Sequence, residues 1–258
     1  MRSPFLYYTF IILSSLFFSS CDDEEKKEVE TPPASTAPTV NVSFSSKYND
    51  ALLEIGTVYF DALGHRIRVE NFQSYLSNIR LVNDLGEEVV IKEIALANLG
   101  TGYSFSAQVD AGTYTQIKFG IGVPEDINKD IDPSTYPNSS PLSIQGAEGM
   151  FWTWNTGYIF SKFEGRADLT GQEGAALLSP FSYHTGDDFL YRTVTLDKSF
   201  TIEATQNQNL AIIIQADQII NGGPNPLDIE VDDVTHTAGN PELATKVVEN
   251  FVSAFSIQ

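Results

Sequence analysis

The chain has 258 residues, is 42% hydrophobic and carries a formal net charge of −19 at pH 7. A charge of that sign excludes nucleic acid and anionic lipid surfaces as partners, whereas cationic partners and metal ions approach it easily. One cysteine, Cys21, excludes an internal disulfide, and the stretch from Thr39 to Gln258 is long enough for one sizeable core.

Arg2 precedes an apolar run from Pro4 to Phe18, which is followed by Ser19, Ser20 and Cys21. A short charged region, an apolar run too short to span a bilayer and small residues at a cleavage point predict a signal peptide over residues 1–20. Phe18-Ser-Ser-Cys21 resembles a lipobox, in which the cysteine becomes the acylated first residue, although phenylalanine stands where leucine is commoner. Each buried methylene of an acyl chain contributes about 0.8 kcal/mol, so several chains anchor a protein stably.

Residues 21–38 combine that cysteine with an acidic run, Asp22-Asp-Glu-Glu-Lys-Lys-Glu-Val-Glu30, and the proline-bearing Thr31-Pro-Pro-Ala-Ser-Thr-Ala-Pro38. Low hydrophobicity leaves nothing to offset the entropy of ordering, so this segment is expected to be a disordered tether. In a polyproline-like conformation it reaches about 50 Å. The acidic run directly after the cysteine resembles the export signal of surface lipoproteins, and a plain solvated charge run is the alternative. The expected location is the outer membrane, facing the periplasm or the cell surface, with the membrane met through the lipid anchor.

From Thr39 onward, apolar alternation and β-branched or aromatic enrichment recur in short runs. They are Val40–Phe44, Val58–Phe60, Val89–Ile91, Ile117–Val123, Tyr191–Leu196, Leu210–Ile214 and Leu227–Val231. Turn chemistry separates them at Asp84-Leu-Gly86, Asp110-Ala-Gly112 and Asn221-Gly-Gly-Pro224. The pattern predicts an all-β domain over residues 39–258, an antiparallel β-sandwich of jelly-roll-like kind. Near the end, Asn240 and Pro241 supply a cap and a first helical residue, and Leu243, Val247, Phe251 and Phe255 recur every four positions. A C-terminal helix packed on the sandwich is expected, with a supporting role.

The chain lacks a Gly-x-Ser-x-Gly elbow and a phosphate-binding glycine loop, and it has only three histidines, so hydrolase readings lack parts and no enzyme activity is expected. Both tryptophans fall in one stretch, Gly149 to Gly165, where an extended strand puts Met150, Trp152 and Trp154 on one face. Such a stripe reads either as sandwich core or as a site. Asp126, Asn128 and Asp130 alternate oxygen ligands in a way that suits calcium, but the glycine and distal glutamate of a full calcium loop are missing. A hydrated acidic loop is the alternative.

Several blocks occur in the order seen in MbnP-like proteins: Phe72-Gln-Ser-Tyr-Leu-Ser-Asn-Ile-Arg-Leu81, Phe119-Gly-Ile-Gly-Val-Pro124, the loop from Asp132 through Tyr136 to Pro141-Leu142, Gly149 to Phe160, Tyr183-His-Thr-Gly186 and Asn250-Phe251. They span nearly the whole of residues 39–258, and the chain resembles that family. The resemblance implies an exported, copper-associated binding protein. Relatives are encoded beside methanobactin genes and paired with a diheme cytochrome c peroxidase-like protein. That partner oxidises a tryptophan of its client to kynurenine, whose new amine joins histidines in holding copper. Carried over, this makes Trp152 or Trp154 the candidate oxidised residue and His184 the candidate copper ligand. The chain departs from copper-binding members in having no histidine two residues from either tryptophan. His65 and His236 read as loop histidines that the fold would have to bring in. The alternative function is a surface interaction or glycan-binding module, with Trp152 and Trp154 stacking on a sugar.

Overall fold

Alternation of side chains builds the first strand of the structure, a computed structural model that describes residues 37–128, 132–152, 157–172 and 174–258. In β1 (Thr39–Tyr48), Val40, Val42 and Phe44 turn inward while their neighbours stay partly exposed. The expected signal peptide, Cys21, the tether as far as residue 36, Asp130 and Trp154 lie outside the described residues. The strands that follow are β2 (Ala51–Leu52), β3 (Val58–Phe60), β4 (Arg66–Asn83), β5 (Glu88–Asn98), β6 (Tyr103–Gln108) and β7 (Gly112–Ile121). One helical turn, α1 (Glu125–Asn128), precedes β8 (Phe151–Trp152), β9 (Gly157–Asp168), β10 (Ser179–Gly186), β11 (Arg192–Ile202), β12 (Gln208–Gln215) and β13 (Val234–His236). The chain closes with α2 (Pro241–Ser253) and β14 (Phe255–Ile257).

Among the described residues these strands form two sheets. One runs β14-β12-β1-β2 with β6 also paired to β1, and the other runs β11-β7-β4-β9-β10-β13 with β3, β5 and β8 attached. The fold is all-β with a C-terminal helix, as expected, yet the sheets are mixed: β1 pairs β12 in parallel, and so do β10 and β13. Strand β4 is the spine of the larger sheet. Its first half pairs with β3 and β9 and its second half with β5 and β7. The change of partners falls between Gln73 and Leu76, and Asn78 lies in the irregular step that the β5 and β7 pairings both make before Arg80; its φ of 48° places it in the left-handed region that asparagine tolerates better than most residues.

The main core lies between the sheets. Phe44 of one meets Phe119 of the other edge-on with centroids 5.5 Å apart, and Phe72, Phe163 and Phe181 continue the layer. On the larger sheet a second apolar cluster gathers Tyr75, Val123, Leu142, Ala147, Met150, Trp152, Tyr158, Ile159 and Phe160. The loop through Pro141 and Leu142 covers it, because Tyr75 donates to Pro141 O at 2.7 Å and Tyr158 donates to Leu142 O at 2.5 Å. Each phenol thereby keeps its ring in the cluster and its hydroxyl satisfied.

Helix α2 starts as its sequence dictates. Asn240 accepts from Leu243 N at 3.1 Å, and Pro241 takes the first helical position, where its missing N–H costs nothing. Leu243, Val247 and Phe251 enter the main core, while Ala244 and Val248 cover Leu190. Two expectations need correction. Phe255 is not a helical residue: the helix ends at Ser253, and Phe255 pairs with Ile214 in β14 while still filling the core. Leu227–Val231 is not a strand: Asp228 accepts from Glu230 N through its side chain and from Val231 N and Asp232 N through its carbonyl, so the segment is a turn. Leu227 and Ile229 are buried there, which produces strand-like alternation without a strand.

Asn250 ties this turn region to the helix. It is fully buried, donates from Nδ2 to Ile219 O at 3.1 Å and Asn225 O at 2.8 Å, and accepts from Asn225 N at 2.8 Å. Asn250→Ala strands those backbone groups away from water, so a loss of about 1–3 kcal/mol is expected. Urea denaturation checks this: the midpoint should fall at unchanged slope, and a wild-type midpoint would show that the bonds are replaceable.

Candidate metal centre

Period-two alternation decides which way the histidines face. Along β10, Phe181 and Tyr183 are buried in the main core, so Ser182 and His184 point to the outer side of the sheet. Strand β13 joins the edge of β10 in parallel, with Tyr183 opposite Thr235 and His184 opposite His236. Thr235 is buried beside Tyr183, so His236 is turned outward with His184. The two imidazoles meet edge to face, centroids 4.7 Å apart at 86°.

Hydrogen bonds fix this corner. Buried Thr237, held at φ 61°, accepts from Gly186 N at 3.0 Å and donates to His184 O at 3.2 Å. Thr235 Oγ1 accepts from Thr237 N and donates to Asn240 O, which links the histidine strand directly to the cap of α2. On the other side of β10, Glu164 of β9 lies with Oε1 2.5 Å from His184 Nε2 and accepts at Oε2 from Asn71 at 2.8 Å. Ser182 Oγ is 3.1 Å from the same ring nitrogen.

The electrostatics separate these groups. The hydrogen bond from His184 holds the Glu164 carboxyl down at about 2 against the opposing effect of burial, with Asn71, the His184 charge and Lys162 assisting. Glu164 is therefore a carboxylate at neutral pH. His236 is pushed below the usual histidine value by burial first, then by repulsion from a protonated His184 and from Lys162, which together outweigh Glu164. That favours the neutral imidazole, the form that binds metals.

Trp152 shares this end of β10. A Cβ on Gly186 would lie 2.6 Å from Trp152 Cζ3 and 2.6 Å from Tyr158 O, so the indole packs over the glycine two positions from His184. Lys162, register partner of His184, donates to Gly149 O at 3.0 Å and ties the strand to the turn ahead of Met150 and Trp152. Trp152 is only 5% exposed within the second apolar cluster, so its faces are unavailable for stacking on a sugar. Met150 is buried in the same cluster, in keeping with the expected same-face stripe.

The other candidates lie elsewhere. His65 sits in the turn between β3 and β4, with Nδ1 2.9 Å from Asp61 Oδ2 and Nε2 3.4 Å from Glu230 Oε1. Asn128 donates to Asp188 at 2.8 Å and accepts from Tyr158 N at 3.0 Å, so its carboxamide is committed to protein partners, and Asp126 is exposed on α1. Among the described residues no group of three or more His, Cys, Asp or Glu is arranged to hold a metal ion. Glu164 is the residue that sequence reasoning missed, and His236, read there as a loop histidine, is the one that the fold brings to His184. His236 is a strand residue and not a loop histidine, and the β-branched threonines on either side of it are the signal that marks a short strand.

Two outcomes follow for this region. Burial lowers the His65 pKa, but the hydrogen bond to Asp61 and the charges of Asp61, Glu230 and Asp228 outweigh it, so the net shift is upward. A raised folded-state pKa means stabilisation that is complete below about pH 6.5 and fades as pH rises through the folded value. The urea-midpoint gap between wild type and His65→Ala should be widest in acid and narrow in alkali; a gap independent of pH would show that the ion pair contributes nothing. Gly186→Ala drives a methyl into the Trp152 ring and the Tyr158 carbonyl, costing about 1–3 kcal/mol. A variant with the wild-type denaturation midpoint would contradict that close approach.

Comparison with known proteins places the fold. No curated protein matches the chain. Among solved structures, MbnP from Methylosinus trichosporium superposes with a TM-score of 0.52 at 11% identity, covering 86% of this chain and 98% of that one, which shows a shared fold. A family model described as MbnP matches residues 37–238, a span that includes every strand from β1 to β13 and both outward histidines of the β10–β13 corner. The chain belongs to the MbnP family.

Proposed function

We propose that this MbnP-family chain is an exported, lipid-anchored protein that holds copper at the outer corner of β10 and β13, storing or delivering the ion without turning over a substrate. The observation that carries the reading is the register that sets His184 opposite His236 on neighbouring strands. Two imidazoles suit copper, and a depressed pKa keeps His236 available as a neutral ligand. The strongly negative chain further favours a cation over an anionic ligand.

Two histidines do not complete a copper site by themselves, and among the described residues no group of three or more His, Cys, Asp or Glu is arranged to hold a metal ion, Glu164 being engaged with His184 Nε2 and Asn71. A kynurenine amine made from Trp152 or Trp154 would supply a further donor. Trp152 is favoured by its contact with Gly186, two positions from His184. The oxidation requires an external oxidant, and a diheme cytochrome c peroxidase-like protein is the partner by family likeness. Acylation at Cys21 would hold the domain at the outer membrane.

His184→Ala and His236→Ala should each weaken copper binding by at least roughly 100-fold, since even outer-shell losses reach that scale. Competition with a chromophoric copper chelator measures this, and full affinity in either variant removes that residue from the site. Peptide mass mapping of protein from its own host should find one tryptophan converted to kynurenine; two unmodified tryptophans in a copper-loaded sample would overturn the modification.

A further inference from the structure

Glu164 does more than pack beside the histidine pair. A carboxylate can only accept hydrogen bonds, so an Oε1 lying 2.5 Å from His184 Nε2 requires the hydrogen to sit on that nitrogen. Neutral imidazole carries a single N–H, and its lone pair is then on Nδ1. Ser182 Oγ, 3.1 Å from Nε2, offers a second acceptor for the same hydrogen. The carboxylate is itself aimed. Asn71 donates to Oε2 at 2.8 Å, and Asn71 lies opposite Glu164 because the β4–β9 register shifts by one residue between Val69 and Asn71. Such a bulge redirects side chains at the edge of a site.

We infer that Glu164 is a positioning residue: with Asn71 behind it, it keeps the proton of His184 on Nε2 and leaves Nδ1 as the metal-binding atom. The atom assignment rests on the copper reading above, whereas the tautomer does not require any metal. A ring locked in one tautomer and one orientation binds without the cost of selecting it, which is the general role of carboxylates behind metal-ligating histidines.

Long-range proton–nitrogen NMR of the metal-free protein, labelled with nitrogen-15 histidine and held in mildly alkaline buffer, reads the tautomer directly. Wild-type His184 should show a protonated Nε2 and an unprotonated Nδ1. Glu164→Gln, whose amide can donate or accept, should mix the two tautomers and weaken copper binding by roughly 10- to 100-fold. Asn71→Ala should shift the tautomer balance in the same direction by less. A wild-type ring protonated at Nδ1, or a Glu164→Gln ring with an unchanged tautomer, overturns the inference and leaves the copper reading untouched. Wild-type protein that has the stated tautomer but binds no copper at His184 overturns the copper reading while Glu164 keeps its hold on the ring.

Discussion

The parallel pairing of β13 with β10 is the constraint on which the site depends. Three residues of β13 make little sheet of their own, and their register must be held from both ends. Before the strand, Asp233 O accepts from Ser182 N at 2.8 Å and Asp232 O accepts from Tyr183 Oη at 2.7 Å. From within the strand Thr235 binds Asn240 O, just after it Thr237 binds β10, and Asn240 caps a helix whose Leu243, Val247 and Phe251 lie in the main core. A one-residue slip would turn His236 inward and Thr235 outward. The surface histidine pair is thus fixed by burial several residues away.

The second apolar cluster does the corresponding work for the tryptophan. Met150 and Trp152 approach β9 through only two strand residues of β8, too short to be ordered by pairing alone. The loop over Tyr75 and Tyr158 closes the cluster from outside, and Gly186 leaves room for the indole where any side chain would collide. A buried aromatic cluster and a polar histidine corner therefore meet along one short stretch of β10, where apolar packing sets the position of the indole and hydrogen bonds set that of the imidazoles.

Much of this was legible in local sequence. Alternation marked β1, β7 and β12, and the cap Asn240 with Pro241 marked the start of α2, because these features depend on neighbours within a few residues. What stayed hidden depends on distant partners. Nothing near Val40 announces a parallel partner at Gln208, and nothing near His184 announces His236. Leu227 and Ile229 misled because a turn that buries alternate residues has the same pattern as a strand. Phe255 kept the four-residue spacing after the helix had ended, since its burial is shared between helix and strand geometry. The role of Glu164 emerges only when a bulge places it against Asn71 and His184 together.

Copper K-edge X-ray absorption on the copper-loaded chain tests the pairing of the two histidines most directly. Two imidazole rings should contribute outer-shell scattering in the wild-type protein, with one ring lost when His236 is replaced by alanine. A wild-type spectrum without imidazole scattering, or one that the replacement leaves unaltered, would contradict a metal centre built on the β10–β13 corner.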